Sequence, residues 1–226
     1  MNYLVRSAFV ALMVLCLGGY AHAGTINFIT LIEDNPGGYG EGAWSSLVLN
    51  VGGATVTITG HATDDLPSTD VTQYAYLDWG NAGLGSCKDA VNAGLVNTQQ
   101  AGRTSNNCNP GSDDNVTTNE YLQFVFDRNV TVNNLWFNNN HDGGFDAGDM
   151  VKIAGTDFAV TTGYADGANG IGPFNVSGNT PFLVAFSNEQ FYISGMKVTA
   201  VPDEGTTLVL LTVGMFLLFA IKLRVG

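Results

Sequence analysis

Apolar and polar side chains alternate along much of the chain between residues 24 and 200. In residues 54–60, Val56 and Ile58 point to one side and the intervening threonines point to the other. One buried face and one solvated face are typical of a strand in an antiparallel sheet. The pattern predicts about ten strands, at 25–31, 45–51, 54–60, 73–79, 121–127, 130–137, 150–153, 157–162, 182–186 and 190–199.

Glycine pairs separate these segments, and Gly52-Gly53 between two strand patterns predicts a tight hairpin turn. Few segments carry the side chains of a stable helix, because the chain is rich in Gly, Asn and Thr. Short strands without intervening helices predict an all-β fold over residues 24–200, an antiparallel β-sandwich with jelly-roll-like connections.

The two ends of the chain depart from this alternation. Residues 1–23 have an early positive charge at Arg6, an apolar stretch and small residues before Gly24. This is the layout of a secretory signal peptide cleaved between Ala23 and Gly24. We therefore expect the domain to be exported.

Residues 201–226 begin with a short polar motif, continue with an apolar run over about 208–221 and end with Lys222 and Arg224. The run is shorter than the roughly 20 residues of a relaxed membrane-spanning helix. Thinning of the bilayer and snorkelling of the two cations can absorb the mismatch. One interpretation of the tail is a single transmembrane anchor. The motif consists of Val201, Pro202, Asp203, Glu204 and Gly205.

The order of motif, Thr206-Thr207 pair, apolar helix and basic end resembles the PEP-CTERM type of sorting signal, in its V-P-D-S-G variant. The resemblance implies processing by an exosortase, a membrane enzyme of bacteria that carry such tails. Two features depart from the family pattern: Glu204 stands where the variant has Ser, and the basic end has only two cations. Residues 75–198 also resemble a recurrent exported domain found ahead of such tails, which implies a location and no known activity.

The charge of the chain is strongly negative, with a net value of −12. Nucleic acid is excluded as a natural partner, because the chain has too few cations to neutralise phosphates. The charge favours solubility and cation binding. The exported part is long enough for one domain with a substantial core.

Two cysteines, Cys87 and Cys108, remain once the signal peptide with Cys16 has been removed. An oxidising compartment makes a disulfide between them the expected state. Closure of this loop should stabilise the fold by roughly 3 kcal/mol on the loop-entropy model. A redox or metal pair is the alternative, but it usually has closer spacing such as C-x-x-C.

The densest polar cluster spans residues 138–149. Asp142, Asp146 and Asp149 could supply carboxylate ligands to Ca²⁺, with Asn140 and backbone carbonyls completing the shell. The spacing differs from that of an EF-hand, and an acidic solvated turn explains the same residues. Asp113 and Asp114 form a second acidic point that could converge on the first.

His141 beside Asp142 raises the possibility of a general acid–base pair. No nucleophile motif accompanies the two residues, and His61 at a strand end is typical of a structural or exposed histidine. We therefore expect no enzyme activity.

Trp44, Trp79 and Trp136 could line a carbohydrate-binding face, although core packing is the expected role of each. The first functional hypothesis is an exported, non-enzymatic surface or matrix protein, associated with exopolysaccharide and biofilm and held by the membrane before processing. The second is a carbohydrate-binding or adhesive module. A secreted glycan-active enzyme is a distant third.

Overall fold

The computed structural model describes residues 22–34, 36, 39–62, 73–91, 103–105, 107–108 and 114–202. Residues His22–Ala200 form one compact unit. Two antiparallel sheets account for most of it, which confirms the prediction of an all-β fold. The strands are β1 (Ala23–Asn27), β2 (Gly42–Trp44), β3 (Leu47–Val51), β4 (Ala54–Ala62), β5 (Tyr74–Asp78), β6 (Gly83–Cys87), β7 (Ala90–Val91), β8 (Arg103–Ser105), β9 (Asn107–Cys108), β10 (Glu120–Phe126), β11 (Val130–Asn138), β12 (Met150–Ile153), β13 (Thr156–Ala159), β14 (Phe174–Val176), β15 (Pro181–Phe186) and β16 (Tyr192–Ala200).

The larger sheet has eight strands and the smaller has six. The path through the larger sheet is β14-β11-β16-β6-β5-β2-β8, and β1 also pairs with β16. The smaller sheet runs β13-β12-β15-β10-β4-β3, and β7 pairs with β9 in a separate ribbon. Strands that are distant in sequence are therefore neighbours in both sheets.

A single apolar cluster joins the two sheets. The six-stranded sheet contributes side chains such as Ile58 and Phe124, and the eight-stranded sheet contributes Leu77, Ile193 and Met196, all fully buried. Burial of such side chains stabilises a fold by about 1.5–3 kcal/mol each. This shared core holds the loops described below in place.

The Gly52-Gly53 hairpin has the predicted geometry. Val51 of β3 faces Ala54 of β4, and the two glycines between them have φ values of 55° and 81°. Two positive φ values in a two-residue loop match the right-handed twist of the flanking strands. The hairpin prediction is confirmed.

The strand predicted at 25–31 is wrong beyond Asn27. A short α-helix, α1 (Phe28–Glu33), follows β1 directly. The Asn27 side chain caps this helix by accepting a hydrogen bond from the Thr30 N–H at 3.0 Å. Phe28 and Ile32, one turn apart, are the residues that the helix buries.

The predicted signal peptide and the tail lie mostly outside the described residues. The sorting motif is described only at Val201 and Pro202, which follow β16 without regular structure. No helix in the described ranges is long and apolar enough to cross a membrane. At the predicted cleavage point, Ala23 and Gly24 pair with Thr199 and Val198, so β1 begins where the signal peptide would end.

Candidate functional site

The polar cluster predicted at 138–149 begins at the end of β11. A 3-10 helix (Asn140–Asp142) follows, and Gly143 leaves it with a φ of 101°. Two buried asparagines fix this segment: the Asn138 side chain donates to the carbonyl of Ala82, and Asn139 Nδ2 donates to Glu189 Oε1 at 3.1 Å. The segment is thus bound to the β5–β6 turn on one side and to the loop before β16 on the other.

His141 lies across the β5–β6 turn and contacts two oxygen atoms. Its Nε2 is 2.9 Å from the carbonyl oxygen of Gly80, and its Nδ1 is 3.0 Å from Asp78 Oδ2. A carbonyl oxygen only accepts, so Nε2 carries a proton. The His141 ring is therefore held between the Asp78 carboxyl group and the Gly80 carbonyl.

The turn itself is built to let the histidine approach. A Cβ on Gly80 would lie 2.5 Å from His141 Nε2, and the φ of Gly80 is +77°. Glu33, at the end of α1, accepts hydrogen bonds from the N–H groups of Gly80 and Asn81, each at 2.9 Å. Helix α1, which the sequence pattern did not predict, therefore holds the backbone on which His141 rests.

Asp78 is buried, with 6% of its surface exposed, although it carries a carboxyl group. Desolvation by burial, with the nearby Asp114 charge as the next cause, raises the pKa of Asp78 to about 7, while the proximity of His141 opposes the rise. Burial also raises the pKa of Asp114, and the hydrogen bond from Tyr192 opposes that rise. The two carboxyl groups thus favour protonation in the folded state.

Two tyrosine hydroxyls donate to carboxylates around this pair. Tyr192 donates to Asp114 Oδ1 at 2.7 Å, and Tyr76 donates to Glu41 Oε1 at 2.7 Å. Burial is the largest cause that raises the pKa of both tyrosines, and the neighbouring carboxylates add to it. Both hydroxyls therefore act as hydrogen-bond donors at physiological pH.

The three carboxylates proposed for calcium have separate partners. Asp142 Oδ2 accepts from Asn115 Nδ2 at 2.8 Å, whereas Asp149 Oδ2 accepts from the Asp146 N–H at 2.5 Å and closes a local turn. The Asp146 side chain is exposed. Among the described residues, no three His, Cys, Asp or Glu side chains are arranged to hold a metal. Calcium binding by these three residues stays a prediction. Of the second acidic pair, Asp114 accepts a hydrogen bond from Tyr192, and Asp113 lies outside the described residues.

The three tryptophans have different environments. Trp44 and Trp136 are buried in the core, as expected, and Trp136 Nε1 donates to the Gly167 carbonyl at 3.0 Å. Trp79 is 51% exposed, so the expectation of core packing is wrong for this residue. It follows the last residue of β5, where the chain leaves the sheet for the turn.

Tyr164 provides a second exposed ring near the same loops. It is 47% exposed, and its hydroxyl oxygen accepts a hydrogen bond from Asn140 Nδ2 at 2.7 Å. His61, in contrast, is buried against Tyr121, with its Nε2 2.7 Å from Thr59 Oγ1. His61 therefore has a structural role.

The predicted disulfide is present. Cys87 and Cys108 are bonded with their Cα atoms 5.9 Å apart, and both residues are buried. They pack against Tyr76 and Ala43 in a small cluster separate from the main core. A disulfide is typical of proteins in an oxidising, extracytoplasmic compartment.

Sequence reasoning did not find Asp78, Glu41 or the role of Gly80. Asp78 lies in a predicted strand, and the alternation of apolar and polar residues does not reveal which charged side chains contact it. His141 is distant from it in sequence. The Trp79-Gly80-Asn81 sequence is a turn signal that follows a strand, and it could have pointed to this place.

Comparisons with protein-family models, with curated proteins and with solved structures each give no match for this chain.

Proposed function

We propose that this chain is an exported, non-enzymatic protein of the cell surface or extracellular matrix, sorted by an exosortase-like enzyme through its C-terminal tail. The observation that carries the proposal is the buried Cys87–Cys108 disulfide. Such a bond forms and persists in oxidising compartments and is rare in the cytosol. It supports the export that the signal-peptide pattern of residues 1–23 predicts.

The position of the sorting motif supports the same proposal. Strand β16 ends at Ala200, and the motif begins at the next residue, Val201, which is 41% exposed. Cleavage near 201–205 would therefore leave the β16 hydrogen bonds in place. Cleavage between Ala23 and Gly24 would remove one residue from β1.

The proposal includes a finer description of the fold as a jelly-roll-like β-sandwich. Its support is the single core shared by two antiparallel sheets, in which strand neighbours are mostly not consecutive in sequence. Long connections between sheets are typical of jelly rolls. Such a domain presents loops at its ends on a rigid body, which suits a structural or adhesive protein.

The experiment compares the full chain with a variant that stops after Pro202, both expressed with residues 1–23 in a host with a working exosortase. We expect the full chain at the surface without its Gly226-ending peptide, as measured by mass spectrometry of the envelope fraction. The shortened variant should be folded and disulfide-bonded but released or held in the periplasm. Recovery of the intact C-terminal peptide from surface protein would contradict exosortase processing and support a plain membrane anchor.

Exposure of Trp79 favours a second function, a carbohydrate-binding or adhesive module. Indole rings supply large, rigid contact surfaces, and an indole that is half exposed on a folded domain is available to a ligand. A glycan-active enzyme remains a distant third proposal. Both ring nitrogens of His141 contact oxygen atoms already, which argues against its use as a free general base. A broad hydrolase screen tests that proposal.

A further inference from the structure

Two exposed aromatic rings lie on neighbouring loops of the domain. Trp79 and Tyr164 are 51% and 47% exposed, and Val48 and Val201 are the other large apolar residues of the described chain with comparable exposure. A short series of contacts connects the rings. Gly80, next to Trp79, contacts His141, and Asn140, next to His141, donates to the Tyr164 hydroxyl.

The loops that carry these rings are fixed by hydrogen bonds. Glu33 holds the turn after Trp79 through the N–H groups of Gly80 and Asn81. The turn that starts at Tyr164 is closed by the Gly167 N–H, which donates to the Tyr164 carbonyl at 2.8 Å. Loops whose backbone is held in this way lose little conformational entropy when they bind a ligand.

We propose that the aromatic surface formed by Trp79, Asn81, Asn140, Asp142 and Tyr164 binds a neutral polysaccharide. Pyranose rings present C–H groups that pack on indole and phenol faces, while their hydroxyls exchange hydrogen bonds with amide and carboxylate side chains. Asn81, Asn140 and Asp142 are exposed, Asn81 lies two residues after Trp79, and Asn140 contacts the Tyr164 hydroxyl, so they can supply those groups. This inference rests on the proposed function and adds to it the matrix component that the exported domain would contact.

Charge decides which polysaccharide fits this surface. Asp142 is exposed on it, in a chain whose net charge is −12. Uronate or sulfate groups would be repelled by Asp142 and by the net negative charge, so we expect anionic polymers to bind poorly at low ionic strength. The ligand class is therefore a polymer rich in hydroxyl groups and without charge.

The test uses the oxidised full chain in mild detergent and immobilised polysaccharides: neutral glucan, mannan and galactan, with alginate as the anionic probe. We expect retention on at least one neutral polymer and none on alginate. Trp79→Ala and Tyr164→Ala should each weaken binding by about tenfold or more. Tyr164→Phe keeps the ring and should retain most binding. Val48→Ala is the matched control, because Val48 has the same exposure as Tyr164 but lies on β3 of the other sheet.

Three results would overturn the inference: no retention on any neutral polymer, equal retention of Trp79→Ala and wild type, or stronger retention on alginate. Self-association that increases with concentration and is lost in Trp79→Ala would assign the surface to a second copy of the chain instead. Thermal melting of each variant separates lost contacts from lost folding. Export and sorting are measured in cells, so binding without surface location contradicts only the proposed function, and surface location without binding contradicts only this inference.

Discussion

Two regions of this domain are held by different physics. Between the sheets, side chains such as Phe124 and Ile193 pack in an apolar core where shape and volume determine stability. Around Asp78 and His141, carboxyl groups, tyrosine hydroxyls and an imidazole are held by directed polar contacts. The apolar region should respond to lost volume, and the polar region should respond to pH and to the positions of single atoms.

The largest effect should come from a cavity in the apolar region. Phe124 is fully buried and packs edge-on against Phe182, with ring centroids 6.3 Å apart. Phe124→Ala should lower the free energy of unfolding by about 3–5 kcal/mol, independently of pH. Denaturant unfolding of the disulfide-bonded protein measures it, with Val48→Ala as the exposed control. A loss below about 1 kcal/mol would show that the shared core does not hold the fold.

Removal of the disulfide should have the next largest effect. It closes a segment with a sequence separation of 21, so Cys87→Ser with Cys108→Ser should lower the free energy of unfolding by about 3 kcal/mol. Wild-type protein in reductant should match the double variant. If reductant leaves the unfolding midpoint of the wild type unchanged, the bond does not constrain the unfolded chain as described.

The polar region should make stability depend on pH. The pKa of Asp78 is about 7 in the folded state, above its ordinary value, so the folded protein binds more protons than the unfolded chain between about pH 4 and 7. Stability should therefore fall as pH rises through that window. Burial also raises the pKa of Asp114, which acts in the same direction.

Asp78→Asn should flatten this pH dependence, because the amide has no proton to lose. Thermal melting at intervals from pH 4 to pH 8 measures the slope for both proteins. Asp146→Asn is the control, since Asp146 is exposed and is not among the charges that shift the pKa of Asp78. Parallel curves for Asp78→Asn and wild type would exclude the Asp78 carboxyl group as the source of the slope.

The smallest effect should come from Gly80→Ala. The new Cβ would displace His141 and would also adopt an unfavourable positive φ. Gly144→Ala measures the cost of the positive φ alone, because Gly144 has a φ of +87° and nothing lies within 4 Å of an added Cβ. Both variants should lose about 1 kcal/mol from backbone strain.

Only Gly80→Ala should also change the NMR signals of the His141 ring and reduce the pH slope. Identical ring signals in Gly80→Ala and Gly144→Ala would mean that the position of the His141 ring does not depend on the absence of a Cβ at residue 80.

Sequence predicted the regions whose periodicity is set by one buried face, as in β3, β4 and the glycine turn between them. Strand β6 was not predicted, because all of its residues are buried and its sequence does not alternate. Its Gly85 is covered by the backbone at Asp114, whose carbonyl oxygen would lie 2.0 Å from an added Cβ. Such contacts join segments distant in the chain, and local patterns do not record them.

The candidate site was predicted only in part, because it also joins segments that are distant in the chain. His141 and Asp142 were singled out as neighbours in sequence, yet the carboxylate that contacts the histidine is Asp78, on another strand. Trp79 was assigned to the core because it ends an apolar strand pattern, and only the turn after it decides that the ring faces solvent.

The pairing of β11 with β16 has a mechanical consequence. The strands are antiparallel, with Asn138 opposite Tyr192 at one end and Val130 opposite Ala200 at the other. A ligand held near Asn140 would pull on the chain beyond Asn138, and a surface attachment beyond Ala200 would pull at the opposite end of the same ladder. The load then acts along the strands, so the hydrogen bonds between them resist together in shear instead of opening one after another.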